Sequence, residues 1–213
     1  VAEQKKPAAR LLDVAGQTFA AQAGIRLTDK PSPLYRLLVL SVLLSTRIKA
    51  DIAVAAAAEL GKAGMTTPAK MLKATWQQRV DALGRAHYVR YDESTATALG
   101  DGAQLLQNDY GADLRRLRQQ ADGNVEAIHQ ALQRFPRLGP VGADIFCREA
   151  QAVWPELRPY FDRKTLDGAK RVGLPTDPAR LAKLVSTQDQ ANLAAALVRV
   201  SLSRRLAGQV QDH

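Results

Sequence analysis

Helical spacing runs through the whole chain, and no stretch alternates apolar and polar residues with the period of two that a half-buried strand requires. Leu11, Leu12, Ala15, Phe19 and Ala23 recur at three- and four-residue intervals, which predicts an amphipathic helix over about residues 8–24. Asp29 to Pro33 reads as a turn, and Ser32 followed by Pro33 as a helix start. Leu34 to Leu44 is almost wholly apolar but too short to span a bilayer, so a buried central helix is expected. Ala50 to Ala63 reads as an alanine-rich helix, and Thr67-Pro68 and Thr75-Trp76 as the starts of two short ones. Further helices are expected over Tyr88–Asn108, Asn124–Phe135, Gly139–Trp154, Asp162–Arg171, Asp177–Val185 and Thr187 to about Leu206. Asn124 and Asp162 are the candidate caps, and Gly173 the stop of the Asp162 helix. The expected fold is all-α, with about ten helices.

A chain of 213 residues can bury a core without cross-links, and with aromatics at only 5% that core must come from Ala, Leu and Val. The single Cys147 excludes a disulfide framework and any four-cysteine zinc or iron–sulfur site within the chain. Its neighbours Phe146 and Arg148 on a helix suit a small core residue rather than a nucleophile. His87, His129 and His213 lack ligand spacing, so no metal site is expected. The polar start of the chain and the lack of a long apolar run point to a soluble protein with no membrane partner. The expected location is cytoplasmic, nucleoid-associated if the source is prokaryotic. Thirty Lys and Arg against 21 Asp and Glu leave a net +9, a balance that fits a polyanion partner through counterion release.

One region carries a chemical signal. A helix from Val125 to Arg134 runs into Phe135-Pro-Arg-Leu-Gly-Pro-Val-Gly142, and a second helix begins at once. Such a turn can present unsatisfied N–H groups and the positive end of the helix dipole to a phosphate oxygen. Gly139 and Gly142 allow close approach because neither carries a Cβ.

These residues resemble the helix-hairpin-helix DNA glycosylase superfamily, in its endonuclease III-like branch. Phe135-Pro136, Leu138-Gly139 and Ala143-Asp144 are similar to that family's hairpin. Phe161-Asp162 and Arg171-Val172-Gly173-Leu174 resemble its downstream segment, and Leu43 to Lys49 its upstream Leu-Leu-Ser segment. The resemblance covers about residues 34–175 in the family's order. It implies a central helical domain over 34–156, containing the hairpin at 124–154, and a second domain built from 1–33 together with 157–213, with a cleft between them. It implies double-stranded DNA, damaged or mismatched, as partner, a monomer, and hydrolysis of the N-glycosidic bond of a flipped base. Asp162 takes the role of the conserved carboxylate that stabilises positive charge on the sugar; its plainer reading is an N-cap. Arg137, Leu138, Gly139, Val141 and Gly142 become the DNA-anchoring hairpin, with Lys49 as a further DNA contact. Arg47 faces the gap left by the base, or is simply an exposed helix-end arginine.

Three departures shape the expectation. The position of the family's Schiff-base lysine falls on Val141, or on Asp144 in an alternative register, so lyase chemistry by that route is not expected. Lys164, two residues past Asp162, is the auxiliary candidate. Arg137 stands where the family has glycine, so the hairpin backbone is expected to differ. No cysteine follows Cys147, so no iron–sulfur cluster is expected; no cofactor is implied beyond a monovalent cation that the hairpin could hold. The last forty residues must then be held by packing, for which Leu181, Leu184, Leu193, Leu197 and Val200 offer a stripe. Trp76 and Trp154 read as packing residues, and Tyr88 and Tyr91, with Arg85 and Arg90, as a pocket mouth or as structure. The rival readings are a catalytically inactive DNA-binding member of the fold and a helical scaffold for other proteins.

Overall fold

The computed structural model describes residues 2–211, so His213 lies outside them. Among the described residues every regular element is helical and none is a strand. In chain order the helices are α1 (Ala2–Ala15), α2 (Phe19–Gln22), α3 (Pro31–Leu44), α4 (Ala50–Lys62), α5 (Pro68–Lys73), α6 (Trp76–Arg85) and α7 (Asp92–Tyr110). They continue with α8 (Leu114–Gln120), α9 (Val125–Leu132), α10 (Gly139–Ala150), α11 (Arg163–Arg171), α12 (Pro178–Ala182), α13 (Gln190–Leu202) and α14 (Arg204–Gln211). The fold is all-α, with more and shorter helices than the periodicity predicts. The chain divides into two compact units, one of Ala20–Phe146 and one of Val1–Phe19 with Cys147–His213.

The Ala20–Phe146 unit is built around α3. Its Leu34, Leu37, Leu40 and Leu43 are wholly buried, each stabilising the fold by about 1.5–3 kcal/mol. The alanines of α4 let it lie close to α3, and α6 packs against both α4 and α7. Thr67 caps α5, and Thr75 with Gln78 forms a reciprocal capping box on α6. Arg79 ties three helices together: its guanidinium donates to the carbonyls of Met71, Ala74 and Ala96. That reach depends on Gly100, where a Cβ would fall 2.4 Å from Arg79 Nη1. Ser32 is not the cap of α3, which starts after Lys30; its hydroxyl donates instead to the Thr66 carbonyl at 2.9 Å. Helix α7 starts at Asp92 rather than Tyr88, because Tyr88 is buried ahead of it and its hydroxyl is engaged by Thr46 Oγ1 at 2.9 Å. Helix α8, capped by the Asp113 carboxylate, has no counterpart in the sequence reading.

In the other unit, the helix expected over 8–24 is broken. Helix α1 ends at Ala15, and α2 is a separate single turn. Arg199 holds the connection by donating to the carbonyls of Ala15 and Gln17, and it stacks over the Phe19 ring with Cζ 4.2 Å from the centroid. Glu149 Oε1 accepts the Phe19 N–H at 3.1 Å. Burial pushes the Arg199 guanidinium below its ordinary value, and the Glu149 carboxylate opposes that shift. Leu181, Leu184, Leu193, Leu197 and Val200 are all buried in one cluster with Leu11 and Phe161. The helix expected over 187–206 is interrupted at Ser203, which separates α13 from α14.

Helices α11 and α13 meet at near-backbone distance: a Cβ on Gly168 would lie 2.0 Å from the Leu197 carbonyl oxygen. Gly168→Ala is therefore expected to destabilise the protein by about 3 kcal/mol despite alanine's better helix propensity. Urea unfolding measures it, and an unchanged midpoint would mean that the two helices do not approach this closely.

Candidate functional site

The turn between α9 and α10 is fixed from below by two apolar anchors. Phe135 is buried and stacks on Tyr110 with centroids 6.3 Å apart, and Leu138 is buried beside it. Between and after these anchors the chain twice enters left-handed backbone, at Arg137 (φ 62°) and Gly139 (φ 49°). Glycine meets that demand freely; an arginine there stores about 1–3 kcal/mol of strain. Arg137 thus adopts a positive φ that glycine adopts more readily. Its side chain is held in turn: Nη1 donates to Ser94 Oγ at 2.6 Å, and Cζ lies 5.6 Å from the Tyr91 ring centroid. Arg90 sits 5.3 Å from the same ring.

Ser45, at the C-terminal end of α3, joins this turn to the upstream segment. Its hydroxyl lies 2.7 Å from the Val42 carbonyl and 3.0 Å from the Arg137 carbonyl, sharing one proton between them. Gly142 makes the approach workable, since a Cβ there would fall 2.9 Å from Leu138 Cδ1 and 3.3 Å from Ser45 Cβ. Residues 92 positions apart are therefore in contact. Arg47 and Lys49 follow Ser45 as exposed cations with no ion pair among the described residues. At the start of α10 the Gly139 and Val141 N–H groups carry no hydrogen bond among the described residues, and Pro140 has none to give. The turn therefore presents two free donors, an exposed guanidinium and the positive end of a twelve-residue helix.

Val141 is 63% exposed and carries no amine. Asp144, its counterpart in the alternative register, is engaged elsewhere: it accepts from His129 Nε2 at 3.0 Å, while Gln133 Nε2 stands 3.0 Å from His129 Nδ1. That set places the His129 proton on Nε2 and clamps α9 to α10.

Asp162 lies in the other unit and caps α11, Oδ1 accepting the Thr165 N–H at 3.3 Å. Its Oδ2 accepts from Arg148 Nη1 at 2.8 Å, and the two side chains are 9% and 8% exposed. The carboxylate is thus oriented and neutralised at once. Gln151 pins the approach to it by bonding both the carbonyl and the N–H of Tyr160. Lys164 is exposed in the first turn of α11 with no partner among the described residues. Cys147 is buried, and Trp154 is wholly buried, but Trp76 stands half exposed with its indole N–H on Thr97 Oγ1.

Sequence reasoning missed Ser94, Arg148 and His129 as partners. Each acts across 15 or more residues or across helices with no local spacing to mark it; Arg148 is 14 residues from Asp162 and on a different helix. No helix among the described residues is long and apolar enough to cross a membrane, and none of those residues cluster as a metal-holding group of His, Cys, Asp or Glu. Comparison with protein-family models, curated proteins and solved structures found no match to this chain.

Arg137→Gly removes strain, a hydrogen bond and a ring contact together, so stability is expected to stay within about 1 kcal/mol of the parent. A loss of several kcal/mol in thermal or urea unfolding would mean that the side chain, not the backbone geometry, holds the turn.

Proposed function

We propose that this chain is a DNA glycosylase-like protein of the helix-hairpin-helix superfamily, which docks on duplex DNA through the turn from Arg137 to Gly142. The observation that carries the reading is the contact of Ser45 with the Arg137 carbonyl, which joins two segments of the family resemblance around a turn with free N–H donors. In this reading the Gly139 and Val141 N–H groups and the Arg137 guanidinium hold backbone phosphates, and Lys49 adds a further one. Arg47 occupies the gap left by the extruded base. The reaction is hydrolysis. The bond from C1′ to the base nitrogen breaks with its electron pair leaving on the base, which takes up a proton, and water supplies hydroxide to C1′. The Asp162 carboxylate stabilises the positive charge that builds on the sugar. Val141 supplies no amine, so no imine forms and the strand stays intact. The protein acts as a monomer and needs no iron–sulfur cluster; a monovalent cation at the hairpin is the one ion this reading accommodates.

A second reading has its own support. Asp162 is already paired with Arg148 and accepts the Thr165 N–H as the cap of α11, so its charge is committed inside the protein. An inactive member that binds lesions or distorted duplexes would keep such a pair as a fold determinant.

One experiment separates them. Duplexes carrying oxidised, alkylated, deaminated or mismatched bases are incubated with the protein, then analysed with and without hot alkali. Breaks that appear only after alkali, and that vanish in Asp162→Asn while duplex affinity stays within about threefold, are expected for the glycosylase. No product across the panel, with duplex binding that weakens steeply with salt, would establish the binding reading in its place. In either case Arg137→Gly should lower the slope of log affinity against log salt by about one. Binding that is absent at low salt would overturn both.

A further inference from the structure

A cavity of about 440 Å³ opens where the bend at Ala63–Met65 meets α5 and α6, and it shares no lining residue with the Arg137 turn. That volume falls within the ~300–1,000 Å³ of small-molecule sites. Its charge is uneven: Lys70, Lys73 and Arg85 line it against the single carboxylate of Asp81. Lys70 and Lys73 are three apart on α5, so both ammonium groups rise from one helix face. Neither has a carboxylate partner among the described residues, and both are exposed. Glu59, outside the wall, pairs with neither of these lysines. Glu59 is spent on Lys62 at 2.7 Å and on Arg85 Nε at 3.1 Å, and these two bonds hold its carboxyl below the usual carboxylate range. Arg85 is thereby anchored through Nε, with both of its Nη groups left to donate elsewhere.

Two ammonium groups without a carboxylate partner, beside a guanidinium that Glu59 engages only through Nε, favour an anion in this concavity, and phosphoryl oxygens match both ammonium and guanidinium donors. The concavity selects a compact ligand over a duplex, whose backbone is the convex outside of a cylinder. Asp81 narrows the class further. A carboxylate accepts hydrogen bonds only, and it would repel a bare inorganic anion but would pair with sugar hydroxyls. Buried Met65 and half-buried Ala74 supply apolar wall for a sugar or base.

We propose that this cavity binds a nucleoside phosphate, with Lys70, Lys73 and Arg85 on the phosphoryl oxygens and Asp81 on the ribose hydroxyls. The site stands independently of the DNA-docking reading. Titration calorimetry of the full chain with ADP, pyrophosphate and adenosine tests it. ADP is expected to bind, adenosine to give no heat, and the double variant Lys70→Gln/Lys73→Gln to weaken ADP about tenfold or more. Asp81→Asn should weaken ADP while leaving pyrophosphate unchanged or tighter. All of these substitutions are at exposed side chains, and matching melting curves confirm that the variants fold. Absence of ADP binding at millimolar concentration, or ADP binding indifferent to the double variant, would overturn the proposal. So would lysine dependence seen only with duplex DNA, which would assign the cations to a strand's phosphates.

Discussion

Close approach between helices is the constraint on which this fold rests. With few aromatic side chains to fill wide gaps, the interior is built from alanine, leucine and valine, and these fill space at native density only when helices come near one another. Gly168 lies against the Leu197 carbonyl, Gly142 against Leu138 and Ser45, and Gly100 beneath the Arg79 guanidinium. In each case the missing Cβ lets a neighbour occupy its place. At Gly142 this closeness also brings the end of α3 to the turn before α10, so the packing rule of the core positions the candidate site.

Charge that is partly or wholly buried is the second organising device. Arg79, Arg148 and Arg199 each satisfy several carbonyls or a carboxylate from within their own unit. An arginine suits this work because its planar fork donates in several directions and stays charged under desolvation. Burying such groups is costly, and removing one partner leaves the other uncompensated, so these contacts specify geometry more than they add net stability. At Asp162 the same device bears on the proposed function. Arg148 fixes the direction of the carboxylate but also takes up its charge, and that tension separates the catalytic from the binding reading.

The turn at Arg137 shows strain held in place by its surroundings. A left-handed arginine persists because Phe135 and Leu138 anchor the turn, Ser45 bonds its carbonyl, and Ser94 and Tyr91 receive its guanidinium. Without those five supports the backbone would relax toward an ordinary conformation. The Gly139 and Val141 N–H groups beside this arginine carry no hydrogen bond among the described residues, an arrangement that a phosphate oxygen would complete.

The sequence by itself determined the all-α class, the central helix at Leu34–Leu44, the caps at Thr67, Thr75, Asn124 and Asp162, and the apolar stripe from Leu181 to Val200. These follow from side-chain periodicity and capping chemistry, which act over one or two helical turns and are therefore written locally. Helix ends were less legible: the break after Ala15 and the late start of α7 depend on Arg199 reaching back to Ala15 and on Tyr88 being buried, contacts between distant residues. Only the tertiary structure decided that Ser45 meets Arg137, that His129 engages Asp144 and that Arg148 neutralises Asp162. The reason is physical. Each of these bonds is set by where two helices lie after the core has packed, and no spacing within a single helix encodes that distance.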